Sequence, residues 1–248
     1  MGCHCAHDNI DSNPEEEALL SRCEATLGFS GHSSARLFTR VLVLTVNQAL
    51  NTNRLKRLGK ELGVDLSGIQ EGGKEPVSHF YAGLKTSEDT WESRKLLILA
   101  LLLGKGTISA KAESLFSLFD LEYNKYLTSE ELESMLEQVV RVALDVLPRY
   151  CVEYLEHVGD LDGAVLVQNY WEKLRGTRSE AKHSLKALIL DPHETQVTLP
   201  TFKTKLMAQE PDLLSACGLR RRALQHYKQL MRSQARHRPS APLVQVSQ

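Results

Sequence analysis

The stretch Ala112-Glu-Ser-Leu-Phe-Ser-Leu-Phe-Asp120-Leu-Glu-Tyr-Asn-Lys-Tyr-Leu-Thr-Ser-Glu-Glu131-Leu-Glu-Ser-Met-Leu136 decides how the chain is read. Leu115, Phe116 and Phe119 recur at helical spacing, and so do Leu132, Met135, Leu136 and Val139. Each set makes the apolar stripe of a helix that buries one face. Between the two stripes lie twelve residues rich in side-chain oxygen. The spacing predicts helix, polar loop, helix.

This segment resembles an EF-hand of the calmodulin superfamily over its full length, residues 112–140. The resemblance implies a Ca²⁺ site, because a hard cation takes 6–8 oxygens and such a loop supplies them from positions 1, 3, 5, 7, 9 and 12. Those positions are Asp120, Glu122, Asn124, the carbonyl of Tyr126, Thr128 and Glu131. Leu127 stands at position 8, where the family joins two loops through a short β-bridge. There are two departures. Lys125 replaces the glycine of position 6, which costs roughly 1 kcal/mol in a left-handed turn, and Glu122 is one methylene longer than the usual Asp or Asn. Thr128 and Glu131 also spell an S/T-x-x-E capping box, which starts a helix without any metal.

One such unit cannot bury its own apolar face, so partners are expected. Residues 158–169 align with Asp160, Asp162, Gly163 and Val165 at positions 3, 5, 6 and 8, but Val158 and Asn169 replace the strongest ligands. Residues 190–201 align with Val197 at position 8, Thr201 at position 12 and Asp191 out of register. The anchors Leu127, Val165 and Val197 are spaced by 38 and 32 residues. A poorer match lies at Glu71–Tyr81. The expected fold class is all-α, an EF-hand-like helix–loop–helix array. Its expected organisation is a disordered tail (1–17), an N-terminal helical region with a degenerate unit (18–105), an EF-hand region (106–211) and a basic C-terminal helix and tail (212–248). Ser87, ahead of Glu88 and Asp89, reads as a helix start leading into the apolar run Leu96–Leu103.

That run is eight residues long; a membrane span needs roughly 20, so it reads as a buried helix. The 248 residues are 42% apolar and 25% charged with a net charge of −1, a balance that fits a soluble globular chain and argues against a nucleic-acid binder. Five cysteines do not read as a disulfide framework, and a cytoplasmic, reducing setting follows. The ends differ. After Asp212 there is no acidic residue, while Arg220, Arg221, Arg222, Lys228, Arg232, Arg236 and Arg238 follow, a pattern expected of a tail working apart from the core. Met1-Gly2-Cys3-His4-Cys5-Ala6 places Gly2 for myristoylation and Cys3 and Cys5 for palmitoylation, although Ala6 departs from the usual Ser or Thr. Two such signals, or one with a basic segment, hold a protein at an anionic membrane surface.

Gly68–Lys74 follows a phosphate-binding loop for seven positions, but Glu75 and Pro76 then break the pattern. His193-Glu194 lacks a second histidine, and no Gly-x-Ser-x-Gly elbow occurs. The sequence thus nominates no catalytic residue and is expected to be no enzyme. The resemblance implies a Ca²⁺-binding regulatory or adaptor protein that presents Phe116, Phe119, Leu132 and Met135 as a groove to a partner protein. Two alternatives stand beside it: a metal-independent scaffold of the same architecture, and the regulatory subunit of a membrane enzyme.

Overall fold

Residues 14–69, 75–87 and 89–236 are described in the computed structural model of the chain, and they are predominantly helical. Helix α1 (Pro14–Ala25) opens on a proline, with Glu15, Glu16 and Glu17 in its first turn. Proline fits the first helical position, and carboxylates there oppose the helix dipole. The acidic segment expected to be disordered through residue 17 is therefore helical from residue 14. What orders it is tertiary: Leu20 and Cys23 are buried, and Glu17 is held by Arg220.

The N-terminal half holds two helix–loop–strand–helix units. The first runs through α2 (Ser34–Leu44), β1 (Ala49–Asn51) and α3 (Thr52–Leu62). Val46 and Ala49 exchange both backbone hydrogen bonds around Asn47 and Gln48, whose φ angles are 50° and 62°, so two left-handed residues make a tight turn. Asn51 then caps α3 by accepting from the Arg54 amide at 3.0 Å. The second unit comprises α4 (Pro76–Ala82), β2 (Lys85–Ser87), β3 (Thr90–Glu92) and α5 (Ser93–Leu103). Strand β3 lies between β1 and β2, with Leu50 opposite Trp91. The helix expected from Ser87 begins at Ser93 instead. Trp91 explains the delay: it is fully buried, and its indole donates to the Tyr81 carbonyl at 2.7 Å. A tryptophan so placed fixes the preceding residues as strand. The apolar run in α5 is buried as expected.

The C-terminal half begins with α6 (Ile108–Phe119), β4 (Tyr126–Thr128) and α7 (Ser129–Arg141). Helix α7 passes through a π-helical turn, Val142–Val146, into α8 (Leu147–His157). Pro148 gives a reason for the widened turn, since a proline within a helix removes a donor and its ring crowds the carbonyl four residues back. Next come α9 (Leu161–Gly176), α10 (Arg178–Ile189), β5 (Gln196–Thr198), α11 (Leu199–Met207) and α12 (Ala216–Arg236).

Strands β4 and β5 are antiparallel, with Leu127 opposite Val197. The 190–201 segment is thus the partner of the 120–131 loop. Residues 158–169 are not a loop. Only Val158–Asp160 separate α8 from α9, turning through Gly159 at φ 80°. Asp160 caps α9 by accepting from the Gly163 amide at 3.0 Å, and Val165, expected in a β-bridge, is an exposed helical residue. The Asp-Leu-Asp-Gly sequence is a helix start. At the other proposed unit, residues 71–74 lie outside the described residues and Pro76 starts α4. The bridging strand of that unit is β3, beyond the segment named from sequence. Helix α1 packs on α8 and α9, so the expected boundary near residue 105 is crossed by packing.

Candidate functional site

The 120–131 loop is built by its own hydrogen bonds. Helix α6 ends at Phe119, and the mostly buried carboxylate of Asp120 accepts from the Asn124 amide and the Lys125 amide, both at 3.0 Å. The Asn124 side-chain oxygen accepts from the Tyr126 amide at 3.1 Å, an Asx turn. Tyr123 and Lys125 take φ angles of 55° and 67°. Lys125 therefore adopts the left-handed conformation for which glycine is ordinarily used, at roughly 1 kcal/mol. Leu127 is fully buried and seats the loop on its partner strand.

The six predicted ligand residues fall into two groups. Asp120, Glu122 and Asn124 form the first, with the side-chain amide of Asn124 donating to Glu122 at 3.1 Å. Thr128 and Glu131 form the second. One Glu131 oxygen accepts from the Thr128 amide at 2.9 Å and hydroxyl at 3.0 Å, while the Glu131 amide donates back to the hydroxyl at 3.2 Å. This is the complete capping box. The Tyr126 carbonyl lies in β4, between the two groups. Among the described residues no three His, Cys, Asp or Glu side chains gather where one ion could bind them. The oxygen inventory is that of a Ca²⁺ loop, and one of its members, Glu131, takes part in the helix cap.

The partner loop is furnished differently. Lys205 places its ammonium 3.0 Å from Asp191 and 3.8 Å from Glu194, and Glu194 accepts from the Asp191 amide at 3.2 Å. A side-chain cation thus balances the two carboxylates. The loops are also linked across their helices: Glu137 on α7 pairs with Arg178 and, at 3.3 Å, with Lys182 of α10. The Arg178 hydrogen bond is the main reason its carboxyl sits below the usual range.

Phe116, Phe119, Leu132 and Met135, expected to face a partner, are buried. Phe116 meets Phe202 of α11 edge to face, with ring centroids 5.6 Å apart. Leu214 and Leu219 lie with Met135 and Phe202 around a small apolar cavity, and Lys111 on α6 donates to the Leu214 carbonyl at 3.2 Å. All of these apolar side chains belong to one buried core.

Sequence reasoning missed the buried charge cluster nearby. Arg220 is fully buried. Its guanidinium grips both oxygens of Glu17 at 2.8 Å and one of Glu24 at 2.7 Å, and reaches the Ala143 carbonyl at 3.4 Å. Burial pushes the Glu24 carboxyl above its usual range against the pull of Arg220. Burial likewise opposes the charge of Arg220, yet Glu17 and Glu24 outweigh it and hold the guanidinium above its ordinary value. Tyr170 also donates to Glu17. The basic segment is not a free tail at its start: Arg221 pairs with Glu210 and Asp212 at 2.8 Å, and Arg222 reaches Gln209 and Ser184. The signal in sequence was an acidic first helix matched by an acid-free last one.

Gly2, Cys3, Cys5 and Arg238 lie outside the described residues. Among those described, no helix is long and apolar enough to cross a membrane, and Cys23 and Cys151 are buried free thiols. No protein-family model matches the chain, and no curated protein or solved structure matches it.

Proposed function

We propose that the chain is a non-enzymatic regulatory or adaptor protein, EF-hand-like in architecture, that engages a partner protein without requiring a metal. One observation carries the reading. Two helix–loop–helix units pair through Leu127 and Val197, while Glu131 of one loop is engaged in a helix cap and Asp191 and Glu194 of the other face Lys205. Titration calorimetry tests it. The expected outcome is no heat with Ca²⁺ up to millimolar concentration and a circular dichroism spectrum unchanged by chelator. A Ca²⁺ heat that disappears in Glu131→Gln would overturn the metal-independent reading.

That second result would support the other reading, a weak Ca²⁺ site at Asp120, Glu122, Asn124, Tyr126, Thr128 and Glu131. It is favoured by oxygen at every ligand position and by the left-handed backbone of Lys125. Tethering at a cytoplasmic membrane face through Gly2, Cys3 and Cys5 belongs to the proposal on the sequence motif alone. Intact mass of the protein from eukaryotic cells decides it, and a mass without an acyl increment removes the tether.

A further inference from the structure

No acidic residue occurs between Ala25 and Lys60, a stretch that holds Arg36, Arg40, Arg54, Lys56, Arg57 and Lys60. These cations lie on α2 and α3, which pack together. Glu61 is the one carboxylate on the two helices. The Arg40 guanidinium donates to both of its oxygens, at 2.8 and 2.6 Å. That hydrogen bond is the main reason the Glu61 carboxyl sits below its usual range; burial opposes it, and the charges of Arg40, Arg57 and Arg36 add to it. Three guanidinium groups from two helices thus surround a single carboxylate. Carboxylates on the adjoining segments are engaged elsewhere. Glu92 pairs with Lys95 at 3.6 Å, Asp89 accepts from the Thr52 hydroxyl, and Asp65 accepts from the Ser67 amide at 2.9 Å. The face keeps a net positive charge.

The same face exposes aliphatic side chains. On α2, Leu37, Val41 and Leu44 are buried and mark its inner side, while Arg36, Arg40 and Val43 follow at i, i+4 and i+7 along the outer side. Val43 is 67% exposed, Leu42 48%, and Val46, in the turn after the helix, 50%. Single exposed apolar residues are ordinary, but three within five positions beside a cluster of cations are a pattern. It is the composition of a surface that lies on a membrane, where lipid headgroups take the charge and the acyl boundary takes the aliphatic groups. Nucleic-acid bases stack on aromatic rings instead, and the exposed large apolar residues of α2 and its turn are all aliphatic.

We propose that the outer face of α2 and α3 is a docking surface for an anionic lipid bilayer. Arg36, Arg57 and Lys60 meet the headgroups, and Leu42, Val43 and Val46 enter the acyl boundary. The surface goes beyond the adaptor reading and depends on neither a metal nor acylation of Gly2, Cys3 and Cys5. One acyl chain alone binds marginally, and such a face supplies a second signal.

The test is co-sedimentation of the full-length, unacylated protein in chelator with vesicles of phosphatidylcholine, alone or mixed with phosphatidylserine. Binding is expected to the anionic vesicles only. Arg36→Gln with Arg57→Gln is expected to weaken it about 25-fold, at roughly fivefold for each cation near such a surface. Leu42→Ser with Val43→Ser is expected to weaken it at least about fivefold through lost apolar burial. Should the arginine pair fail to fold, Arg57→Gln with Lys60→Gln is read the same way. Arg232→Gln with Arg236→Gln, in the C-terminal basic segment, is expected to leave most of the binding in place. The proposal is overturned if neither vesicle is bound, or if the loss is confined to the C-terminal variant. Binding unchanged by the cation pair or by the aliphatic pair overturns it too, as does single-stranded RNA or polyglutamate held as tightly as the anionic vesicles. The protein in this assay carries no acyl group and no metal, so its outcome is separable from the mass test of the tether and from the calorimetric test.

Discussion

The chain solves one architectural problem twice. In the N-terminal half, Leu50 meets Trp91 across β1 and β3; in the C-terminal half, Leu127 meets Val197 across β4 and β5. The first pair uses a shortened turn, Val46–Ala49, and a tryptophan whose indole is satisfied by the Tyr81 carbonyl. The second keeps a twelve-residue loop with a carboxylate at each end, folded around Asp120. The difference teaches that the apolar anchor at the bridge, rather than the polar loop, makes two helix–loop–helix units pair. The bridge is common to both pairs, while the loops beside it differ: a two-residue turn, a lysine facing two carboxylates, and a loop folded around Asp120.

The comparison breaks first at its anchors. Trp91→Ala should destabilise the protein by about 4 kcal/mol in urea unfolding, within the range for large buried aromatics. A loss under about 1 kcal/mol would mean that the N-terminal bridge is dispensable. Leu127→Ala should cost about 3 kcal/mol, as for other buried leucines, and should do so equally in Ca²⁺ and in chelator. A cost appearing only in chelator would show that the ion, and not the leucine, holds the second pair.

Smaller effects sharpen it. Lys125→Gly should stabilise the protein by up to about 1 kcal/mol, since glycine takes the left-handed conformation without penalty; calorimetric melting measures it, and a lowered midpoint would contradict the assigned backbone. The smallest effect is in acid. Because Arg178 and Lys182 lower the folded-state pKa of Glu137 below its usual 4.5, their contribution is present above that value. It is lost as pH falls through the lowered one. In Glu137→Gln the acid side of the stability–pH curve should flatten slightly, and an unchanged slope would leave the α7–α10 link without an energetic role.

The second pair was legible in sequence because its evidence is local. Apolar stripes at Leu115–Phe119 and Leu132–Val139 flank a polar loop, and the capping box between Thr128 and Glu131 announces the start of α7. The partner at Val197 was legible for the same reason. Residues 158–169 misled because Asp-Leu-Asp-Gly suits both a loop and a helix start, and the competition is settled by the tight turn at Gly159. The first pair was missed since Asn47 and Gln48 offer no glycine to mark their turn, and Trp91 follows polar residues that favour a helix cap. Arg220 was read as tail because burial of an arginine depends on carboxylates far away in the chain, which no local pattern reveals.

That separation also bears on the order of synthesis. Glu17 and Arg220 stand 203 residues apart, so the first helix leaves the ribosome long before the cation that neutralises it exists. Contacts so distant in sequence form late, since they carry the entropy of closing the largest loop. The bridged pairs can assemble as they emerge, and α1 can pack on α8 and α9 before its carboxylates meet Arg220. A chain cut before α12 would therefore leave the Glu17 and Glu24 carboxylates without the guanidinium that neutralises them.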